Sequence, residues 1–171
     1  MGVTTSVFDP MLVRWCAAVD EGGYNEWIPA ESNTANSQRL GDGSEIRGAV
    51  YSRNQILIWT DNSLHGMTPT GGDYIFTTVQ IGTNCGLVGL HAAVEADGVA
   101  FWMSQKNFFM YDGTLRILPC SVRQYIFDDL NENEVRDITI EFFVYLMMFD
   151  NMEWFIENPE FLPDKHLIGI S

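Results

Sequence analysis

Apolar residues in this chain come in short runs separated by polar, turn-forming residues. In residues 56–67 (ILIWTDNSLHGM), four apolar residues precede the turn-forming DNS at 61–63, and a second apolar run follows. Residues 99–113 repeat this order as VAFWM, SQKN, FFMY and a closing Asp–Gly. Short runs of β-branched or aromatic residues around a polar turn are typical of β-hairpins, and Asp–Gly favours a tight turn because both residues tolerate positive φ. We therefore expect each copy of this pattern to be a hairpin.

The tryptophans show how far apart the copies lie. Trp59 and Trp102 are 43 positions apart, Trp15 precedes Trp59 by 44 positions, and Trp154 follows Trp102 by 52. A spacing of about 40–50 residues is typical of propeller blades, which have four strands each. The sequence therefore predicts an all-β fold, a β-propeller-like stack of three to four antiparallel blades that need not close into a ring. One tryptophan of each blade is expected to pack between neighbouring sheets.

A chain of 171 residues predicts a single domain with a sizeable core. The expected repeats cover about 13–55, 56–97 and 98–130, with a partial copy at 138–157. The polar, acidic segment 128–138 is the one helical candidate. Residues 158–171, which include two prolines, are expected to form a C-terminal arm.

The charge balance is strongly acidic, with 9 Lys and Arg against 23 Asp and Glu and a formal net charge of −14. Such a surface repels phosphate backbones and anionic membranes, so neither nucleic-acid reading nor membrane association is expected. Three cysteines without a CxxC pair favour a reducing compartment. The N-terminus lacks a signal-peptide pattern, and the longest apolar run, residues 142–149, is too short to span a bilayer. We expect a soluble protein made in a cytoplasm.

The residues that could carry chemistry give only weak patterns. His65, His91 and His166 lie far apart, and none has a second ligand at metal-binding spacing. Cys85 lies six residues before His91, and cysteine and histidine are residue types that can act as a nucleophile and its base. A cysteine between a turn Asn and a Gly, however, is more often structural. No nucleophile elbow, phosphate loop or HExxH motif occurs. The sequence predicts no enzymatic activity, no cofactor and no metal site.

The loop GTNCGLVG at 82–89 is unusual because it has three glycines and no charged residue. This composition predicts close backbone packing. Two interpretations remain open, an ordinary crossover between blades and a contact with a neighbouring subunit. For the second, the candidate partner-contact residues are Gly82, Asn84, Cys85, Gly86 and Gly89.

Residues 24–27 (YNEW) form an aromatic cluster with amide and acidic neighbours. Aromatic rings beside such groups suit the faces of sugars, so Tyr24 and Trp27 are candidate glycan contacts. The alternative is a turn with a packed tryptophan. Gly41–Asp42–Gly43 is interpreted as a hairpin turn before the strand that follows it.

Several segments together resemble a known family. RWC, YNEWIP, SNTANSQRLGDGSEIRGAV, ILIWTDNSLHGM, GTNCG and YDG look like elements of the β-propeller proteins of short-tailed bacteriophage tails, the tail accessory, nozzle or packaged-DNA stabilization proteins. The similarity covers about 13–129, two-thirds of the chain. The first copy has Trp–Cys–Ala where the family tends to have Trp–Ser–Asp, and the match fades after Asn131.

The resemblance implies a virion structural protein, a tail or neck (nozzle) component that assembles by protein–protein contacts, retains packaged DNA and forms part of the ejection conduit. The implied partners are other tail or portal and adaptor proteins and further copies in a homo-oligomeric ring, with genomic DNA passing nearby without specific binding. A glycan-binding or adhesin-like propeller module at the tail tip is the alternative. Because the family's ring has more blades than 171 residues encode, we expect a fragment, a shortened version, or a piece completed by another chain.

Overall fold

The fold was analysed in a computed structural model, which describes residues 8–71 and 75–119. Strands account for 49% and helical turns for 6% of these residues, which confirms the all-β prediction. No helix in the described ranges is long and apolar enough to cross a membrane. The predictions for Trp154, the helix at 128–138, the partial copy at 138–157 and the arm at 158–171 lie outside the described residues.

The chain divides into two compact units, Met1–Gly86 and Leu87–Ser171. The first unit contains a two-stranded antiparallel ribbon and a four-stranded antiparallel sheet whose strands follow one another in sequence order. The ribbon pairs β1 (Leu12–Trp15) with β2 (Asn36–Arg39). The sheet contains β3 (Ile46–Ser52), β4 (Gln55–Thr60), β5 (Ser63–Pro69) and β6 (Phe76–Thr83).

One apolar cluster of the first unit lies between this ribbon and one face of the sheet. Alternate residues of β4 point to the same face, so Ile56 and Ile58 both reach this cluster. Met67 of β5, which pairs directly with Ile56, joins them. Trp15 of the ribbon packs edge-on against Phe76 of β6, with ring centroids 5.5 Å apart and an interplanar angle of 72°.

The second unit contains a second four-stranded antiparallel sheet, again with its strands in sequence order. Its strands are β7 (Ala93–Ala96), β8 (Val99–Met103), β9 (Phe108–Tyr111) and β10 (Leu115–Leu118). Asp97 and Gly98 turn between β7 and β8 with φ of 50° and 81°. Gly113 has φ of 112° between β9 and β10, which confirms that the Asp–Gly sequence there closes a hairpin.

Trp59 and Trp102 hold equivalent places in the two four-stranded sheets. Each lies on the second strand of its sheet and is fully buried. Each also faces a very small residue on the first strand, Gly48 for Trp59 and Ala93 for Trp102. The hairpin prediction is confirmed for both copies, because β4 pairs with β5 and β8 pairs with β9.

The copy at Trp15 differs from the other two. Trp15 ends β1, but its strand pairs with β2 only after the long connection of residues 16–35. This connection contains two short 3-10 helices, Val19–Glu21 and Gly23–Asn25. The hairpin expected here is therefore wrong. Gly22, with φ of 110°, ends the first of these helices, and the second helix follows where a strand was expected.

Candidate functional site

A polar network centred on Asp42 joins three segments of the first unit. The Asp42 carboxylate accepts hydrogen bonds from Asn62 Nδ2 at 2.8 Å, Thr83 Oγ1 at 2.9 Å and Gln80 Nε2 at 3.0 Å. The bonds from Asn62, Thr83 and Gln80 favour the ionised form and hold the pKa of the Asp42 carboxyl below its ordinary value of 3.8. Asp42 is part of the connection from β2 to β3, two strands of different sheets. The interpretation of Gly41–Asp42–Gly43 as a hairpin turn is therefore wrong.

The network continues into the interior at the β4–β5 turn. Ser63 Oγ donates to the backbone oxygen of Asp42 at 2.8 Å and lies 2.9 Å from both Thr60 Oγ1 and His65 Nε2. Desolvation lowers the pKa of His65, and the nearby Asp42 carboxylate partly opposes this effect.

A serine hydroxyl in contact with a histidine ring, with an aspartate nearby, suggests an activated nucleophile. However, Ser63 is fully buried and His65 is only 4% exposed, so no substrate reaches either side chain in this structure. The hydroxyl of Ser63 already donates a hydrogen bond to the backbone oxygen of Asp42. We interpret these hydrogen-bonded residues (Asp42, Thr60, Ser63 and His65) as a structural network that holds the β4–β5 turn, and we call this network the lock of the first sheet. The sequence reasoning missed it, and the acidic residue between two glycines was the only local signal.

The loop at 82–89 makes its close backbone contact within the first unit. Cys85 N and Gly86 N both donate to the backbone oxygen of Asn62 at 3.0 Å. A Cβ added to Gly86 would lie 2.3 Å from both Asn62 N and the carbonyl carbon of Asp61, a distance at which only glycine fits. Asn84 adopts the left-handed conformation, with φ of 55°.

The remaining candidates of this loop differ in exposure. Gly82 pairs with Leu64 at the end of β6, Gly89 is buried, and Asn84 is exposed. Cys85 is fully buried, and desolvation raises the pKa of its thiol to about 11. A buried, protonated thiol is a poor nucleophile, so the geometry does not support the catalytic interpretation of Cys85. A role of the loop in partner contact stays a prediction.

The 16–35 connection is held by hydrogen bonds of its own. Its two ends are joined by Ala18 N, which donates to Thr34 Oγ1 at 2.9 Å, and its start is joined to its middle by Ala17 N, which donates to Glu26 O at 2.9 Å. Glu21 accepts from the backbone N–H and the hydroxyl of Thr34. These bonds fix the path of the backbone between β1 and β2.

The same connection exposes large apolar side chains. Val19, Tyr24 and Ile28 are 87%, 84% and 74% exposed, and Trp27 is 45% exposed. Trp27 Nε1 donates to Tyr24 O at 2.7 Å, so the indole of one predicted glycan contact bonds the backbone of the other. The guanidinium of Arg14 on β1 donates to Trp27 O at 2.9 Å, which ties this end of the connection to the ribbon.

The chemistry of the described residues gives no sign of a metal centre. Residues 8–71 and 75–119 contain no cluster of three or more His, Cys, Asp or Glu side chains placed to hold a metal ion. The candidate functional surface is the exposed apolar part of the 16–35 connection, which includes Val19, Tyr24 and Ile28. A scan against models of known protein families finds no match, and a search of curated proteins finds no relative of the chain.

Proposed function

We propose that the chain is a virion structural protein, a tail or neck (nozzle) component of a short-tailed bacteriophage that acts through protein–protein contacts. The observation that carries the proposal is the pair of consecutive four-stranded antiparallel sheets with matched, buried tryptophans, Trp59 and Trp102. Sheets of four strands that recur about every 43 residues have the composition of propeller blades. The resemblance of residues 13–129 to phage tail propellers supplies the biological setting.

Assembly into a homo-oligomeric ring, or onto other tail and portal or adaptor proteins, follows from the small number of blades. Each unit of a repeat array buries its apolar faces against its neighbours, and the terminal units need a cap or a partner. Two four-stranded sheets and one ribbon in the described residues are fewer than a closed propeller uses. Further copies or other proteins complete the array in this proposal.

The acidic charge supports a role beside DNA without specific binding. A ring of chains that each carry a net charge of −14 surrounds its axis with negative potential. Phosphate backbones are repelled by such a surface, so DNA moves past it without adhering. In this proposal the ring retains packaged DNA by closing the tail tube and releases it along the same conduit.

The solution mass of the purified chain tests this proposal. Size exclusion coupled to light scattering is expected to show a discrete oligomer, well above the 19.4 kDa of one chain. A stable monomer at micromolar concentration would contradict assembly through copies of the chain. A filter-binding assay with duplex DNA at moderate salt is expected to give no retention, and tight binding would contradict the conduit.

One observation favours a second candidate, a glycan-binding or adhesin-like module at the tail tip. Tyr24 and Trp27 are both exposed, and the Trp27 indole donates a hydrogen bond to Tyr24 O. Exposed aromatic rings stack on the apolar faces of sugars while nearby polar groups bond the hydroxyls. A monomeric chain that binds glycans would favour this candidate over the ring component.

A further inference from the structure

The 16–35 connection has the reverse of the usual arrangement of a surface loop. Its polar groups bond one another, as in the contacts of Glu21 with Thr34, while Val19, Tyr24 and Ile28 are each more than two-thirds exposed. Surface loops normally present polar side chains, and several large exposed apolar residues mark an interaction site where they form one patch.

The backbone that carries these side chains is preorganised. Asn33 Oδ1 accepts from Ala30 N and Ala35 N, both at 3.2 Å, and Asn33 Nδ2 donates to Ile28 O at 3.1 Å. At the other end, Ala17 N donates to Glu26 O. A surface that is already ordered loses little conformational entropy on binding, which favours its use in docking.

The charge of the 16–35 connection indicates which kind of partner it attracts. Its charged residues, Asp20, Glu21, Glu26 and Glu31, are all acidic, and they outnumber the Arg14 guanidinium of β1 that donates to Trp27 O. The whole chain is also acidic, with a net charge of −14, so a second copy complements the charge of this surface less well than a basic segment does. A cationic partner is attracted, and its Arg or Lys groups can also lie on the faces of Tyr24 and Trp27.

We infer that the exposed apolar residues of the 16–35 connection form a docking surface for a basic, apolar segment of another protein. The observations favour a protein over a glycan. Both atoms of the Asn33 amide and the Trp27 Nε1 donor are already used within the connection, and the aliphatic side chains of Val19 and Ile28 add apolar area that sugar hydroxyls do not match. The inference stands on these contacts and charges, whatever larger assembly the chain joins.

A random library of short displayed peptides, selected on the immobilised full chain, tests the inference. Enriched peptides are expected to combine Arg or Lys with aromatic or aliphatic residues. Their affinity for the double variant Tyr24→Ser/Ile28→Ser is expected to fall by about tenfold or more, because exposed apolar anchors dominate such contacts. The matched control is Tyr51→Ser, which removes another exposed tyrosine, from β3, and is expected to bind as the parent chain does.

A second variant keeps the test decisive if the first fails to fold. Asp20→Lys/Glu31→Lys retains every apolar residue and is expected to lose the basic peptides by charge repulsion. Enriched peptides without basic residues, or equal binding by both double variants and the parent, would overturn the inference. Glycan-array signal that is abolished by Trp27→Ala would overturn it in favour of a sugar site. Light scattering on the same variants separates this outcome from the proposed ring, because ring formation does not depend on peptide binding.

Discussion

The β3–β6 sheet and the β7–β10 sheet share a plan but secure it differently. In both, the tryptophan of the second strand is fully buried and faces Gly48 or Ala93 on the first strand. Large rings against very small cross-strand neighbours fill the space without overpacking. In the second sheet Trp102 also stacks on Phe109 of the third strand, with centroids 5.5 Å apart and an interplanar angle of 16°.

The ends of the central hairpins show the difference. In the first sheet the β4–β5 turn is held by Asp42 and by the 82–89 loop, which lie outside the hairpin in sequence. In the second sheet the β8–β9 turn is closed by the bond from Ser104 N to Asn107 O at 2.9 Å, and the outside contact at the end of β8 is a backbone bond, from Val88 N to Met103 O at 3.0 Å. The same apolar pattern therefore produces the same strands in both sheets. In the first sheet, the hairpin turn is also held by side-chain hydrogen bonds with Asp42, which is distant in sequence.

The largest expected effect comes from removing the shared tryptophans. Trp59→Ala and Trp102→Ala are each expected to lower the free energy of unfolding by about 3–5 kcal/mol, because each leaves a large cavity in a core. The matched control is Trp27→Ala, which removes an exposed tryptophan and is expected to cost under about 1 kcal/mol. Urea unfolding of the three variants measures these losses. Losses under about 1 kcal/mol for both Trp59→Ala and Trp102→Ala would show that the repeated tryptophan does not stabilise either sheet.

A single methyl group tests the contact of the 82–89 loop with the β4–β5 turn. Gly86→Ala places a Cβ against the backbone of Asp61 and Asn62, and this overpacking is expected to cost about 1–3 kcal/mol. Gly41→Ala is the matched control, because a Cβ at Gly41 meets nothing within 4 Å. Thermal unfolding is expected to show a lower midpoint for Gly86→Ala only. Equal midpoints would mean that the 82–89 loop moves freely away from the hairpin.

The sequence predicted the parts of this fold that depend on neighbouring residues. The apolar runs around Trp59 and Trp102 gave strands, and Asp–Gly at 112–113 gave a turn, since each signal is local. The Asp42 network was not predicted because it joins residues about 20 to 40 positions apart. The 16–35 connection was only half predicted. The aromatic pair was recognised, but Val19 and Ile28 were not, because nothing in an apolar residue's own sequence context says that it will be exposed.

Low pH is expected to destabilise the first sheet because of the buried His65. Strands β7 to β10 contain no histidine. Burial lowers the pKa of His65 below its ordinary value of 6.5. The unfolded chain therefore takes up a proton at a higher pH than the folded chain. The contribution of neutral His65 to the free energy of unfolding is complete above about pH 6.5, and it is lost as the pH falls below that value. Asp42, whose pKa is also lowered, adds a further loss only below its ordinary value of 3.8.

Urea unfolding between about pH 8 and pH 5 measures this effect as the slope of the unfolding free energy against pH. A general loss of packing lowers the stability at every pH, whereas titration of His65 changes the slope. The parent chain is expected to lose stability toward pH 5, and His65→Gln is expected to flatten that dependence even if its overall stability is lower. His91→Gln, which changes an exposed histidine outside the network, is expected to keep the slope. A slope that persists in His65→Gln would mean that the lock of the first sheet does not depend on a neutral His65, and the two sheets would then differ in geometry but not in their response to acid.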